Sequence, residues 1–218
     1  AVRHHVVKSL DVEALVGRAA GRFATAARGL LPPGLLGYDE SRWTTGQSVA
    51  GRPFPSEIAA SCLMRPLFVT GSLAPFRAAL FEELGAIGVR ATVAPRAGDA
   101  WNAARAAGDD DMFLLGWTAD YPDADAFAYG LLHATHGWLG PFCGAAEIDR
   151  LVERGRVAAD PDLRHEVYRE IEDLVARRAL LVPLFNAQMG RFARPEVRGL
   201  EISFAPPFVA YEELWLER

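Results

Sequence analysis

The run Gly116-Trp117-Thr118-Ala119-Asp120-Tyr121-Pro122-Asp123 holds the side chains best suited to ligand chemistry. Asp120 follows an apolar stretch, Met112-Phe113-Leu114-Leu115, that reads as a strand. A carboxylate just past a strand's C-terminal end stands where α/β sheets bind ligands. A charge-assisted hydrogen bond from a carboxylate in a closed, dry cleft is strong and discriminates against uncharged groups. The same position also suits helix capping, with Pro122 in a first turn and Asp123 and Asp125 at the positive end of the dipole. Both roles stay open at this level. Trp117, Tyr121 and Trp138 are candidate walls, because ligand sites are largely aromatic with few polar anchors. Trp117, ending a strand, equally suits the core. Trp138, beside Gly137 and near Gly140, reads as a loop residue. Arg65 and Arg77 have the charge to meet a ligand carboxylate, although most arginines are solvated surface.

Other constellations carry less. His133 and His136 are spaced to share a helical face, with Cys143 as a candidate third metal ligand. No fourth ligand is suggested, however, and residues 135–137 read as lying past the helix end. Asp120, Asp123 and Asp125 lack the alternating ligands and central glycine of a calcium loop. No nucleophile elbow, Walker loop, zinc-protease motif or dinucleotide glycine motif occurs, so we expect no enzyme, no metal and no cofactor. Cys62 and Cys143 allow one long-range disulfide or two separate buried thiols.

These residues need elements to hold them. Val6, Val7 and Leu10, then Leu15, Val16 and Ala19, predict two short helices meeting at Asp11, a good N-cap, with Gly21 as a stop. Residues 24–62 are rich in Gly, Pro, Ser and Thr and predict an ordered irregular excursion. Residues 63–69 read as a strand that Pro66 pushes to an edge. Phe76, Ala79, Leu80, Leu84 and Ile87 form one helical stripe closed by Gly88, and residues 89–93 make a second strand, giving a parallel crossover. A helix over 99–107 and a strand over 112–117 follow, then helical spacing to Leu132. Ile148, Leu151, Val152 and Val157 mark another helix, and Asp160-Pro161 opens the next, with Leu163, Val167, Ile171, Leu174 and Val175 as its stripe. Residues 180–185 read as a strand and 186–218 as short strands.

The chain has 218 residues, half of them hydrophobic, and a formal net charge of -5, which argues against a nucleic-acid partner. No run of eighteen apolar residues encodes a membrane span. The first residues show no signal pattern and read as starting inside a helix, so a longer parent protein is expected.

Taken in order, several stretches resemble the bacterial extracellular solute-binding proteins of family 5, the oligopeptide-, dipeptide- and nickel-binding proteins of ABC transporters. They are Ser9-Leu10-Asp11 through Leu15-Val16, Leu31-Pro32-Pro33-Gly34, Ala78 through Gly88-Val89, Gly116-Trp117 through Asp123, Glu147 through Val152, Tyr168-Arg169-Glu170 and Val182-Pro183-Leu184. The resemblance covers the C-terminal lobe only. It implies an α/β fold, the C-terminal lobe of a class II periplasmic-binding-protein-like architecture, with a mixed sheet flanked by helices. Residues 1–185 would form the lobe, and 186–218 would be tail strands returning toward the first lobe. It also implies a peptide or similar small ligand held against a missing N-terminal lobe, an ABC permease as partner, and a periplasmic or extracellular, membrane-associated location. In peptide-binding members the aspartate at the place of Asp120 pairs with the ligand's α-ammonium. A sensor domain fused to a regulator or kinase is the alternative. The chain departs from the pattern at Ala124, where proline is frequent, in residues 38–62, and at Trp138-Leu139-Gly140, where an asparagine-rich stretch is usual.

Overall fold

The computed structural model describes residues 2–41, 58–64, 74–108, 110–188, 190–203 and 207–217. Helices α1 (Val2–Ser9) and α2 (Val12–Ala19) meet at Asp11, whose carboxylate accepts the Ala14 N–H at 2.9 Å. That bond satisfies a donor that the first turn otherwise leaves unpaired. A 3-10 turn then leads into β1 (Ala24–Ala26), a strand inside the stretch the sequence marks as irregular. β1 pairs antiparallel with β5 (Phe185–Ala187). The strand expected over 180–185 therefore forms its ladder later, because Pro183 has no N–H to donate. Just before β5, the Leu184 carbonyl accepts from Ala27 N at 3.1 Å.

The main sheet has the order β3-β2-β4, with β2 (Ile58–Met64), β3 (Val89–Pro95) and β4 (Met112–Leu114) all parallel. Parallel and antiparallel pairing thus both occur, in separate ladders. The strand expected over 63–69 lies earlier, as β2, and is central rather than an edge. Pro66, which suggested the edge, lies outside the described residues, as does Arg65. β4 stops at Leu114, opposite Met64 where the described part of β2 ends, and not at Trp117.

Helix α3 (Ala74–Ala86) makes the crossover between β2 and β3. Its predicted stripe is the buried one, with Phe76, Leu80 and Leu84 facing inward and Ile87 just beyond. Gly88 turns the chain into β3 at φ +85°, a conformation that a Cβ would penalise. Helix α4 (Gly98–Ala107) then precedes β4. The helix expected up to Leu132 is one short turn, α5 (Asp125–Phe127), running into a π-helical turn over Ala128–Leu132. Helices α6 (Gly140–Cys143), α7 (Ala146–Val157) and α8 (Pro161–Arg178) complete the helical half. Asp160 caps α8 by accepting the Asp162 N–H at 2.9 Å, with Pro161 at the first position.

Apolar burial falls into two cores. One packs α7 and α8 with the π turn through Leu132, Ile148, Val152, Val167, Tyr168 and Ile171. The other joins α2, α3 and the main sheet through Leu15, Cys62, Phe76, Leu84, Ile87 and Val89. In the tail, β6 (Val197–Arg198) and β7 (Trp215–Leu216) pair antiparallel, as short strands were expected to. Cys62 and Cys143 sit in different cores as free thiols, and burial pushes each up to about 11. At neutral pH both are therefore protonated and unreactive.

Candidate ligand-binding site

β4 delivers the chain from the sheet core to a loop over residues 115–124, whose Leu115, Trp117 and Ala124 pack in the helical core. Trp117 lies half-buried in it, and its indole N–H donates to the Ala126 carbonyl at 3.0 Å. The six-membered part of this indole lies over Gly130 in the π turn. A Cβ on Gly130 would come within 2.8 Å of Trp117 Cζ2, so only glycine admits the ring.

Asp120 is exposed at the crest of the loop, and its carboxylate takes no hydrogen bond or ion pair among the described residues. The capping role falls to Asp123 instead. Asp123 Oδ1 accepts the Asp125 N–H at 2.8 Å, and both of its oxygens accept from Arg164, at 2.8 and 2.9 Å. The Arg164 guanidinium beside Asp123 holds that carboxyl below the usual carboxylate range. Arg164 also reaches the Gly155 carbonyl at 3.0 Å and Tyr168 Oη at 3.2 Å, tying the loop to both α7 and α8. Tyr121 is 45% exposed, and its hydroxyl donates to Asp125 Oδ2 at 2.9 Å. Partial burial and that hydrogen bond push its phenol up to about 12, so it stays protonated. Asp125 is buried and faces Arg156 Nε at 3.5 Å.

Trp138 is half-buried in the turn before α6, a loop position as expected. It meets Trp117 edge-on, with ring centroids 6.0 Å apart, so the structure brings these two candidate walls together. Asp120 and Tyr121 follow Trp117 by three and four residues in the chain, and Tyr121 turns its hydroxyl toward Asp125. Sequence reasoning missed two residues behind this wall. Trp101 and Arg105, on α4, lie 5.4 Å from the Trp138 ring, centroid to centroid and guanidinium carbon to centroid respectively. Their spacing of four on a short amphipathic helix was the available signal.

The histidines follow another logic. The N–H groups of Thr135 and His136 both donate to His133 Nδ1, at 3.2 Å each. Its ring proton therefore sits on Nε2, 3.4 Å from Glu153. The Cys143 thiol lies 3.6 Å from the Leu180 carbonyl. His133 and Cys143 are thus committed to internal bonds, and no group of three or more potential metal ligands occurs among the described residues. Arg77 lies on α3, in the half of the fold that packs on the main sheet, away from the residues that contact the Trp117–Trp138 pair. A separate open cleft of about 420 Å³ is lined by α2, β1 and the segment after it, including Glu13, Thr25, Arg28 and Tyr38. None of its lining residues belongs to the β4 loop.

No protein-family model matches the chain. In sequence it is 26% identical over 209 residues to Di/tripeptide-binding protein 4 of Pseudomonas aeruginosa, covering 90% of this chain and 38% of that protein. A dipeptide-binding protein of Pseudomonas aeruginosa is 29% identical over 100 residues, 44% of this chain and 19% of that protein. Among solved structures, HbpA2 from Haemophilus parasuis superposes with a TM-score of 0.78 at 17% identity, over 100% of this chain and 45% of that one. The ABC transporter-associated periplasmic binding protein DppA from Helicobacter pylori, in complex with the peptide STSA, gives 0.75 at 18% identity, over 100% and 44%. The chain is one lobe of the periplasmic-binding-protein fold. The order of its motifs makes it the C-terminal lobe, and its resemblance to the peptide-binding class holds in sequence as well as in fold. The lobe spans less than half the length of these proteins. None of its described helices is long and apolar enough to cross a membrane.

Proposed function

We propose that this lobe binds a peptide or a similar small solute by its ammonium end, with Asp120 as the anchor and Trp117, Tyr121 and Trp138 as the surrounding wall. The observation that carries the proposal is a division of labour among neighbouring carboxylates. Asp123 and Asp125 are engaged by Arg164, Arg156 and Tyr121, whereas Asp120 stands exposed past the end of β4. A carboxylate left exposed in a loop this firmly braced is available to a ligand. The names of the relatives, dipeptide- and di/tripeptide-binding proteins, point to the same ligand class.

One lobe presents one face of a cleft, so a second lobe would complete the site. Residues 186–218 suit contact with it, since Phe192, Trp215 and Leu216 are 93%, 56% and 66% exposed. The two-lobed protein would act outside the cytoplasm, hand its solute to an ABC permease, and perform no chemistry on it.

Native mass spectrometry of the two-lobed protein, purified without added ligand, beside its Asp120→Asn variant tests this reading. A peptide-sized adduct in the wild type that the variant loses is the expected result. An adduct retained by both removes Asp120 from the anchor role. Bare protein mass in both, persisting when dipeptides are added, overturns the binding function itself.

A further inference from the structure

We infer that Arg105 is a positioning residue for the ligand loop, holding Trp138 against Trp117. The inference rests on the reading of Asp120 and Trp117 as ligand contacts. Arg105 stands in the last turn of α4, half-buried, and makes two kinds of contact with Trp138 at once. Its Nη1 donates to the Trp138 carbonyl at 2.7 Å, and its guanidinium carbon lies 5.4 Å from the Trp138 ring centroid. On the same side Trp101, one helical turn earlier, packs at 5.4 Å from Trp138 and 5.7 Å from the guanidinium. Trp101 is 2% exposed although it belongs to neither aliphatic core. The stack joins the helical core through Trp138, which packs against it.

Its position gives it a function. Trp138 passes the constraint to Trp117 through their edge-to-face contact at 6.0 Å, and Trp117 is pinned from the other side by the Ala126 carbonyl. Trp117 lies three residues before Asp120 on the same loop. A chain of direct contacts thus runs from α4 to the backbone that presents the anchor. Arginine suits this place because one planar guanidinium reaches a carbonyl and an indole together, which a lysine ammonium does less well. A wall held rigid before the ligand arrives lowers the ordering cost of binding.

The test compares wild type, Arg105→Met and Arg105→Lys in the two-lobed protein, by two readouts. The first is hydrogen exchange of the Trp117 indole N–H, followed by NMR without ligand. The second is the affinity for alanyl-leucine and for its N-acetyl form, from chemical-shift titration. In Arg105→Met the indole proton should exchange about tenfold faster and the free dipeptide bind about tenfold more weakly, with Arg105→Lys recovering part of both. The preference for the free amine should narrow. Wild-type exchange and affinity in Arg105→Met overturn the inference, as does an equal loss for both forms of the dipeptide. If wild type binds neither dipeptide while exchange still accelerates in the variant, the peptide reading falls and the positioning of Trp117 by Arg105 stands. Should Arg105→Met fail to fold, Trp138→Phe, which keeps the carbonyl and a ring, reports on the same two quantities.

Discussion

Four carboxylate-bearing or aromatic positions within a few residues of each other divide into distinct roles through what surrounds each. Asp123 is neutralised by a bidentate arginine and works as a brace. Its folded pKa is depressed, so its contribution to stability is fully present above the ordinary carboxylate range. That contribution declines as pH falls through this range and disappears below the folded pKa. Thermal midpoints of wild type and Asp123→Ala should therefore differ near pH 7, by about 1–2 kcal/mol of stability for a pair partly screened by solvent, and draw together as pH falls below the folded pKa. A gap that persists unchanged at low pH would contradict the ionic account. The presence of an aspartate-rich, tryptophan-bearing motif was legible in the chain. Which aspartate braces and which stands free was not, because Arg164 lies 41 positions away and only folding puts it beside Asp123.

At the scale of elements, the π turn after α5 is the feature that sequence periodicity did not reveal. Apolar spacing continues through Leu131 and Leu132 whether the turn is α or π, so the pattern predicts helix and no more. Gly130 explains what the turn accommodates, since Trp117 occupies the space a Cβ would fill. Gly130→Ala removes backbone entropy from the unfolded chain, which alone would stabilise by about 0.5–1 kcal/mol. The clash with a ring pinned by Ala126 and Trp138 should reverse the sign and destabilise by about 1–3 kcal/mol. Chemical denaturation measures the sign directly, and the Trp117 indole resonance should shift in the same variant. Stabilisation by Gly130→Ala would show that the loop yields freely, leaving Trp117 unsuited to a preorganised wall. The caps behaved differently. Asp11 and Asp160 announce their helices locally and do so in the structure.

Across the whole molecule, a buried carboxylate fastens the residues just after β1 to α8. Glu172, 2% exposed in the middle of α8, accepts the N–H groups of Leu30 and Leu31 at 3.0 and 2.7 Å. Leu31 is itself 1% exposed in the helical core, so this carboxylate fastens the segment where its apolar side chain docks. Glu172→Ala would strand two buried donors and should cost about 3 kcal/mol, read as a lowered denaturation midpoint. Protease sensitivity should appear first near residues 27–31. Uniform loss without local sensitivity would assign Glu172 to packing alone.

The sequence by itself determined the fold class and most of the helices, together with the strand–helix–strand crossover, in their order. Local signals sufficed there, in the stripes of α3 and α8, the aspartate caps and the Gly88 turn. The same order of motifs was enough to point to the C-terminal lobe of a solute-binding protein, and comparison upheld the resemblance. Tertiary structure decided where pairing begins and ends. β2 is central because β3 and β4 both add to it, and β1 is a strand because β5, some 160 residues later, lies alongside. It also decided the makeup of the site. Trp138 meets Trp117 with Trp101 and Arg105 of another helix packed on it, and Asp123 rather than Asp120 engages Arg164. Contacts between residues distant in the chain have no local signature, whereas caps, stripes and turns are written in neighbouring residues.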